Sequence, residues 1–137
     1  MKTKVYNKLD LESKEVQIDI KYTLLTGKNV IFPTETVYGL GAIATDDKAV
    51  ARIFATKNRP QFNPLISHFA DVKEALAAGE KTEIANLLAS HFWPGPLTLI
   101  LKRAKHCPIS LLASAGNDSV AVRVPDHTIA RQLLALT

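Results

Sequence analysis

Lys57 and Arg59 lie two residues apart and are followed at once by Pro60. An arginine offers a planar fork to phosphate oxygens, and a lysine offers a compact point charge. Two cations at a helix end also meet the negative end of the macrodipole favourably, so the pair suits either an anionic ligand or a plain helix terminus. Just beyond, Asn63 and Pro64 precede Leu65, Ile66, Ser67 and His68. His68 has the chemistry to orient a polar ligand or accept a proton, although a lone strand histidine is more often structural. Near the end of the chain, Ser119 and Arg123 alternate with valines, with small Ala121 between them. A strand there puts Ser119, Ala121 and Arg123 on one face. Arg123 then suits a ligand carboxylate or a structural ion pair with an Asp or Glu, and the two readings weigh equally.

Two further segments combine polar side chains with stiff backbone. Residues 33–41 read PTETVYGLG, with two threonine hydroxyls, a carboxylate and two glycines after a short apolar run. Such a segment brings backbone close to a ligand, or it is simply a strand-to-turn corner capped by a threonine. It lacks the spacing of a P-loop. Residues 93–98, WPGPLT, form a rigid corner assigned to architecture, with Thr98 a lesser site candidate. The four histidines at 68, 91, 106 and 127 show no metal-ligand spacing, and a protein-bound metal is not expected.

These segments need elements to hold them. Val16, Ile20, Leu24 and Leu25 recur at helical spacing over 15–26, with Gly27 as a C-cap. Residues 30–32 read as a short buried strand stopped by Pro33. Asp46 or Asp47 caps a helix to about Lys57, and Pro60 prevents its continuation. Residues 65–69 read as a strand. Asp71 caps one helix that Gly79 ends, and Thr82 caps another whose shared face is Ile84, Leu87 and Leu88. Residues 97–101 form a continuous apolar strand, 113–118 a polar loop and 119–124 an alternating strand. A last helix begins near Asp126 and includes Ile129 and Leu133. Interleaved helices and strands predict a layered mixed fold of one domain over residues 1–137.

Composition narrows the setting. About half of the 137 residues are apolar, enough for a packed core, and the formal charge is +4 from 17 basic and 13 acidic side chains. That mild excess fits an anionic ligand or a soluble surface. Cys107 is the single cysteine, so no internal disulfide forms and a reducing, cytoplasmic setting is expected. The polar N-terminus has no apolar signal region, and no run approaches membrane-spanning length.

Taken in order, FPTETVYGLG (32–41), KNRP (57–60), NPLI (63–66) with His68, WPGPLT (93–98) and VAVRVP (120–125) resemble the YrdC-like family of L-threonylcarbamoyladenylate synthases. The resemblance runs from about Gly27 to the end of the chain. It implies an α+β fold of YrdC/RibB type, a twisted mixed β-sheet flanked by helices around a concave basic cavity. It implies that the threonine amine captures bicarbonate and that the resulting carbamate attacks the α-phosphate of ATP, releasing pyrophosphate. Magnesium would accompany the ATP. The product would feed a separate tRNA threonylcarbamoyl transferase. By the same resemblance, Thr36, His68 and Arg123 contact threonine. Lys57, Arg59, Asn63 and Ser119 contact the nucleotide, with Lys57 and Arg59 also catalytic, and no protein nucleophile is required.

Family members continue into a Ser-x-Asn segment that closes the nucleotide site. The string at 114–117 has the wrong spacing for it, so the domain is expected to be truncated at its C-terminal end. Weak activity and an exposed apolar edge around Leu133, Leu134 and Leu136 are expected to follow. Two other functions compete: a module that holds tRNA or double-stranded RNA through its charge, and a relative that adenylates a carbamoyl group from carbamoyl phosphate. The first lacks a Lys/Arg stripe with interleaved aromatics.

Overall fold

The computed structural model describes residues 2–137. After a short 3-10 turn at Asp10–Glu12, helix α1 runs over Lys14–Leu25 and strands β1 and β2 over Val30–Pro33 and Tyr38–Gly41. Helix α2 covers Asp47–Lys57 and β3 covers Ile66–His68. Helices α3 and α4 follow at Val72–Ala77 and Glu83–Phe92, then β4 at Leu99–Lys102, β5 at Ser119–Arg123 and α5 at Thr128–Leu134.

The expected mixed sheet is divided in two. β1 and β2 form an antiparallel ribbon. The other three strands form a sheet in the order β3-β5-β4, with β3 parallel and β4 antiparallel to the central β5. Helix starts follow local hydrogen bonding. Asp46 accepts from the backbone N–H groups of Lys48 and Ala49, Asp71 from those of Lys73 and Glu74, and Thr82 from that of Ala85. Each satisfies donors that a helix leaves free at its first turn. Gly27 sits at φ 73°, a left-handed conformation that terminates α1. Asn58 at φ 47° ends α2 two residues before Pro60.

The core lies between the inner face of the sheet and the helices. Val120, Val122 and Val124 of β5 and its extension are buried against Val50 and Phe54 of α2, Ala75 of α3, Ala85 and Ala89 of α4, and Trp93. Three apolar readings need correction here. In α4 the packed face is Ala85, Leu88 and Ala89, so Leu88 packs as expected while Ile84 and Leu87 are 60% and 55% exposed. Small side chains let this helix approach the core closely, which outweighs the greater hydrophobicity of its isoleucine and leucine. β1 is not buried through, because Ile31 points outward at 70% exposure, and in the apolar strand β4 Ile100 does the same at 74%. The leucines at 133, 134 and 136 are half-buried rather than exposed, with α5 lying beside β1. The loop at 113–118 is less polar in effect than in composition, since Ala113 and Ser114 are buried. α5 begins at Thr128, two residues later than the sequence implies.

Candidate functional site

One face of the three-stranded sheet packs on the core, and the other carries the candidate residues. The register aligns Ile66 with Ala121 and Ile100, and His68 with Arg123. Ser119 aligns with Lys102. The outer face of β5 therefore reads Ser119, Ala121, Arg123, as alternation predicts. At about 3.3 Å per residue, Ser119 and Arg123 stand roughly 13 Å apart along the strand. Ile66 and Ile100 flank Ala121 between them and leave a shallow apolar floor.

At the Arg123 end, three remote segments converge. Arg123 is 6% exposed. Its Nε donates to the Gly95 carbonyl at 3.1 Å, and one terminal nitrogen reaches the Thr36 hydroxyl at 3.5 Å. The other terminal nitrogen forms an ion pair with Glu35. Burial pushes the Arg123 pKa down, since desolvation opposes its charge, but it stays a cation because an arginine is not deprotonated in proteins. Both readings of Arg123 thus meet in one side chain: it has a structural partner in Glu35, and it faces the open side of the sheet.

Thr36 reaches this point on a turn joining β1 to β2. The Thr34 hydroxyl donates to the Val37 carbonyl at 2.7 Å and accepts from the backbone N–H groups of Thr36 and Val37. Its proton being committed, the Thr36 hydroxyl donates to it across 3.0 Å. That leaves the Thr36 oxygen free to accept from Arg123 and from a ligand.

His68 stands beside Arg123 on the neighbouring strand, its ring edge-on to Phe32 at 6.3 Å. Burial lowers its pKa, partly offset by a contact of 3.3 Å from Nδ1 to the Ile66 carbonyl. A carbonyl only accepts, so the proton of the neutral ring is assigned to Nδ1. Nε2 is then an acceptor available to a ligand hydroxyl or amine.

The remaining candidates are those assigned to the nucleotide. Lys57 is the exposed last residue of α2 and has no ion-pair partner among the described residues. Arg59 donates to the carbonyls of Asn63 at 3.3 Å and Pro64 at 3.1 Å. Pro64 precedes Ile66 by two residues, as Ser119 precedes its partner Ala121, so Arg59 stands at the Ser119 end of the sheet. Asn63 is exposed and Ser119 half-buried. Arg59 is therefore committed in part to shaping the 59–64 loop, which the sequence does not reveal.

Three contributors escaped the sequence reading. Glu35 pairs with Arg123, and Phe32 walls His68. Gly95 supplies a carbonyl to Arg123, so the WPGPLT corner is more than architecture. A Cβ on Gly95 would stand 2.3 Å from the Phe92 carbonyl oxygen, which explains the glycine. The adjacent Trp93–Pro94 bond is cis, and Gly95 also donates to the Val124 carbonyl at 2.8 Å. The signal for Glu35 was a carboxylate set between two threonines, but nothing local names its distant partner. Two surface depressions, one around Asp126, Arg131 and Gln132 and one around Asp47, Arg103 and Ser110, contain none of the candidates.

Comparison with known proteins bears on this arrangement. Residues 23–137 match the sequence profile of the Sua5/YciO/YrdC family, described as "Telomere recombination". A threonylcarbamoyl-AMP synthase of Pyrococcus abyssi is 52% identical over 112 residues, covering 81% of this chain and 32% of its own length. The threonylcarbamoyl-AMP synthase of Bacillus subtilis is 44% identical over 127 residues, 91% of this chain and 36% of its own. The crystal structure of P. abyssi Sua5 complexed with L-threonine aligns with a TM-score of 0.80 at 45% identity, over 88% of this chain and 37% of that one. The chain thus spans about a third of the length of these relatives. No helix among the described residues is long and apolar enough to cross a membrane. With a profile match across most of its residues and the same mixed α+β architecture, the chain belongs to the Sua5/YciO/YrdC family.

Proposed function

We propose that this chain carries the site for making threonylcarbamoyl-AMP from L-threonine, bicarbonate and ATP. The observation that carries the reading is the meeting of Thr36, His68 and Arg123 at one end of the β3/β5 face, in a family whose relatives are named for that product. Arg123 takes the threonine carboxylate through the terminal nitrogen that the Gly95 and Glu35 contacts leave aimed at the open face. Thr36 and Nε2 of His68 accept hydrogen bonds from the amine or hydroxyl. Holding threonine this way presents its amine to bicarbonate, giving a carbamate and water. A carbamate oxygen then attacks the α-phosphorus of ATP as the bond to pyrophosphate breaks.

The nucleotide lies toward Ser119, with Lys57, Arg59 and Asn63 beside its phosphates. The two clusters stand roughly 13 Å apart on β5, room for a ligand that joins an amino acid to a nucleotide. No enzyme nucleophile takes part. Rate enhancement comes from positioning and from cationic stabilisation of charge at the phosphorus. Among the described residues no group of three acidic, histidine or cysteine side chains gathers to hold a metal. A magnesium ion carried in on the phosphates would screen their charge. The product serves a separate transferase acting on tRNA.

Pyrophosphate release from ATP is the test. Release should require threonine and bicarbonate together, and an equal rate without threonine would falsify the assignment.

A further inference from the structure

Glu35 lies at the centre of the Arg123 contacts. Its carboxylate takes one oxygen to the Arg123 guanidinium and the other to the backbone N–H of Asp126. Its side chain is 21% exposed, and that of Arg123 is 8% exposed. Glu35 therefore joins the turn between β1 and β2 to the junction between β5 and α5 at two points. That turn is hydrogen-bonded within itself through the Thr34 hydroxyl, which gives it a shape but no position. The direct contact from Thr36 to Arg123 is 3.5 Å, at the outer limit of a hydrogen bond, and it spans 87 residues of sequence. It is too weak to hold the turn in place.

We infer that Glu35 is a positioning residue, a clasp that sets Thr36 and Arg123 in register for one ligand. The inference rests on the proposed threonine site. A guanidinium is a rigid plane, so two anchored corners fix the third. The Gly95 carbonyl anchors Nε and Glu35 anchors one terminal nitrogen, which aims the remaining nitrogen at Thr36 and the open face. Without the carboxylate, a nearly buried cation has lost its counter-charge and the turn has lost its tether.

The clasp predicts a separation that a general packing role does not. Glu35→Gln keeps the side-chain shape and can still accept from Asp126, but it removes the charge. By calorimetry, its affinity for L-threonine should fall about tenfold or more, while its affinity for ATP stays within about twofold. In Glu35→Ala, hydrogen exchange at the Asp126 amide should accelerate without any ligand present. Tighter threonine binding by Glu35→Gln would overturn the clasp, because the carboxylate would then be a competitor for Arg123. Equal losses for threonine and ATP would reduce Glu35 to a packing residue, and unchanged exchange at Asp126 would remove the tether. If the parent chain binds no threonine, the functional proposal fails on its own, and the exchange measurement still decides whether Glu35 holds the turn.

Discussion

Replacing Arg123 by lysine keeps the charge and removes the fork. In the parent, three corners of the guanidinium meet the Gly95 carbonyl, the Thr36 hydroxyl and Glu35. An ammonium is one centre and will stay with Glu35, the strongest partner. Gly95 is buried, so its carbonyl is left without a donor. An unpaired buried acceptor costs about 1–3 kcal/mol. At roughly 4 °C per kcal/mol for a chain of this size, the melting temperature of Arg123→Lys should fall by about 4–12 °C. A carboxylate ligand would lose the charge-assisted bond from the terminal nitrogen aimed at the open face, about 1.5–3 kcal/mol, so threonine should bind about 10- to 150-fold more weakly. ATP, at the Ser119 end, should bind nearly as before. Thermal unfolding and separate titrations with threonine and ATP measure all three quantities. Equal losses for both ligands would refute the carboxylate role, and an unchanged melting temperature would refute the account of Gly95.

Lys57 and Arg59 should behave differently despite their spacing. Lys57→Ala should weaken nucleotide binding by about 1.5–3 kcal/mol with no change in urea midpoint. Arg59→Ala should weaken binding and also cost about 0.5–1.5 kcal/mol of stability, since it releases two loop carbonyls; identical behaviour of the two variants would contradict the loop contacts. His68 should make the fold acid-sensitive. Burial lowers its folded pKa, so its contribution is fully present above about pH 6.5 and is lost as pH falls through the lowered value. The difference in urea stability between parent and His68→Gln should therefore change across that window, and a constant difference would count against it. Gly79→Ala should destabilise by about 1–3 kcal/mol, because its Cβ would stand 2.4 Å from that of Leu101 while the backbone is tied to the edge of β4. Wild-type melting would show that this edge is looser than described.

What the sequence revealed follows the range of the forces involved. Asp46, Asp71 and Thr82 were legible as caps because capping acts within three residues. The alternation of 119–124 placed Ser119 and Arg123 on one face because the strand period is fixed by backbone geometry. The faces of Ile31, Ile84 and Ile100 were not legible, since an apolar side chain does not state which neighbour it will meet. Arg123 illustrates the limit most clearly. Its residue type predicted a carboxylate partner, but Glu35, 88 positions earlier, is found only when the chain folds back. The resemblance to a family supplied roles for Thr36 and His68 that their local surroundings left open.

The strand order has a consequence for how the chain is made. β5 is the middle strand of its sheet, yet it follows both neighbours in sequence. Until residue 123 has left the ribosome, β3 and β4 have no strand between them, and each presents unpaired backbone groups. A nascent chain paused before that point exposes two such edges beside the apolar residues that β5 will cover, the kind of surface that chaperones shield. The segment bearing Ser119 and Arg123 therefore completes the sheet and brings the two ends of the candidate site into being in the same event.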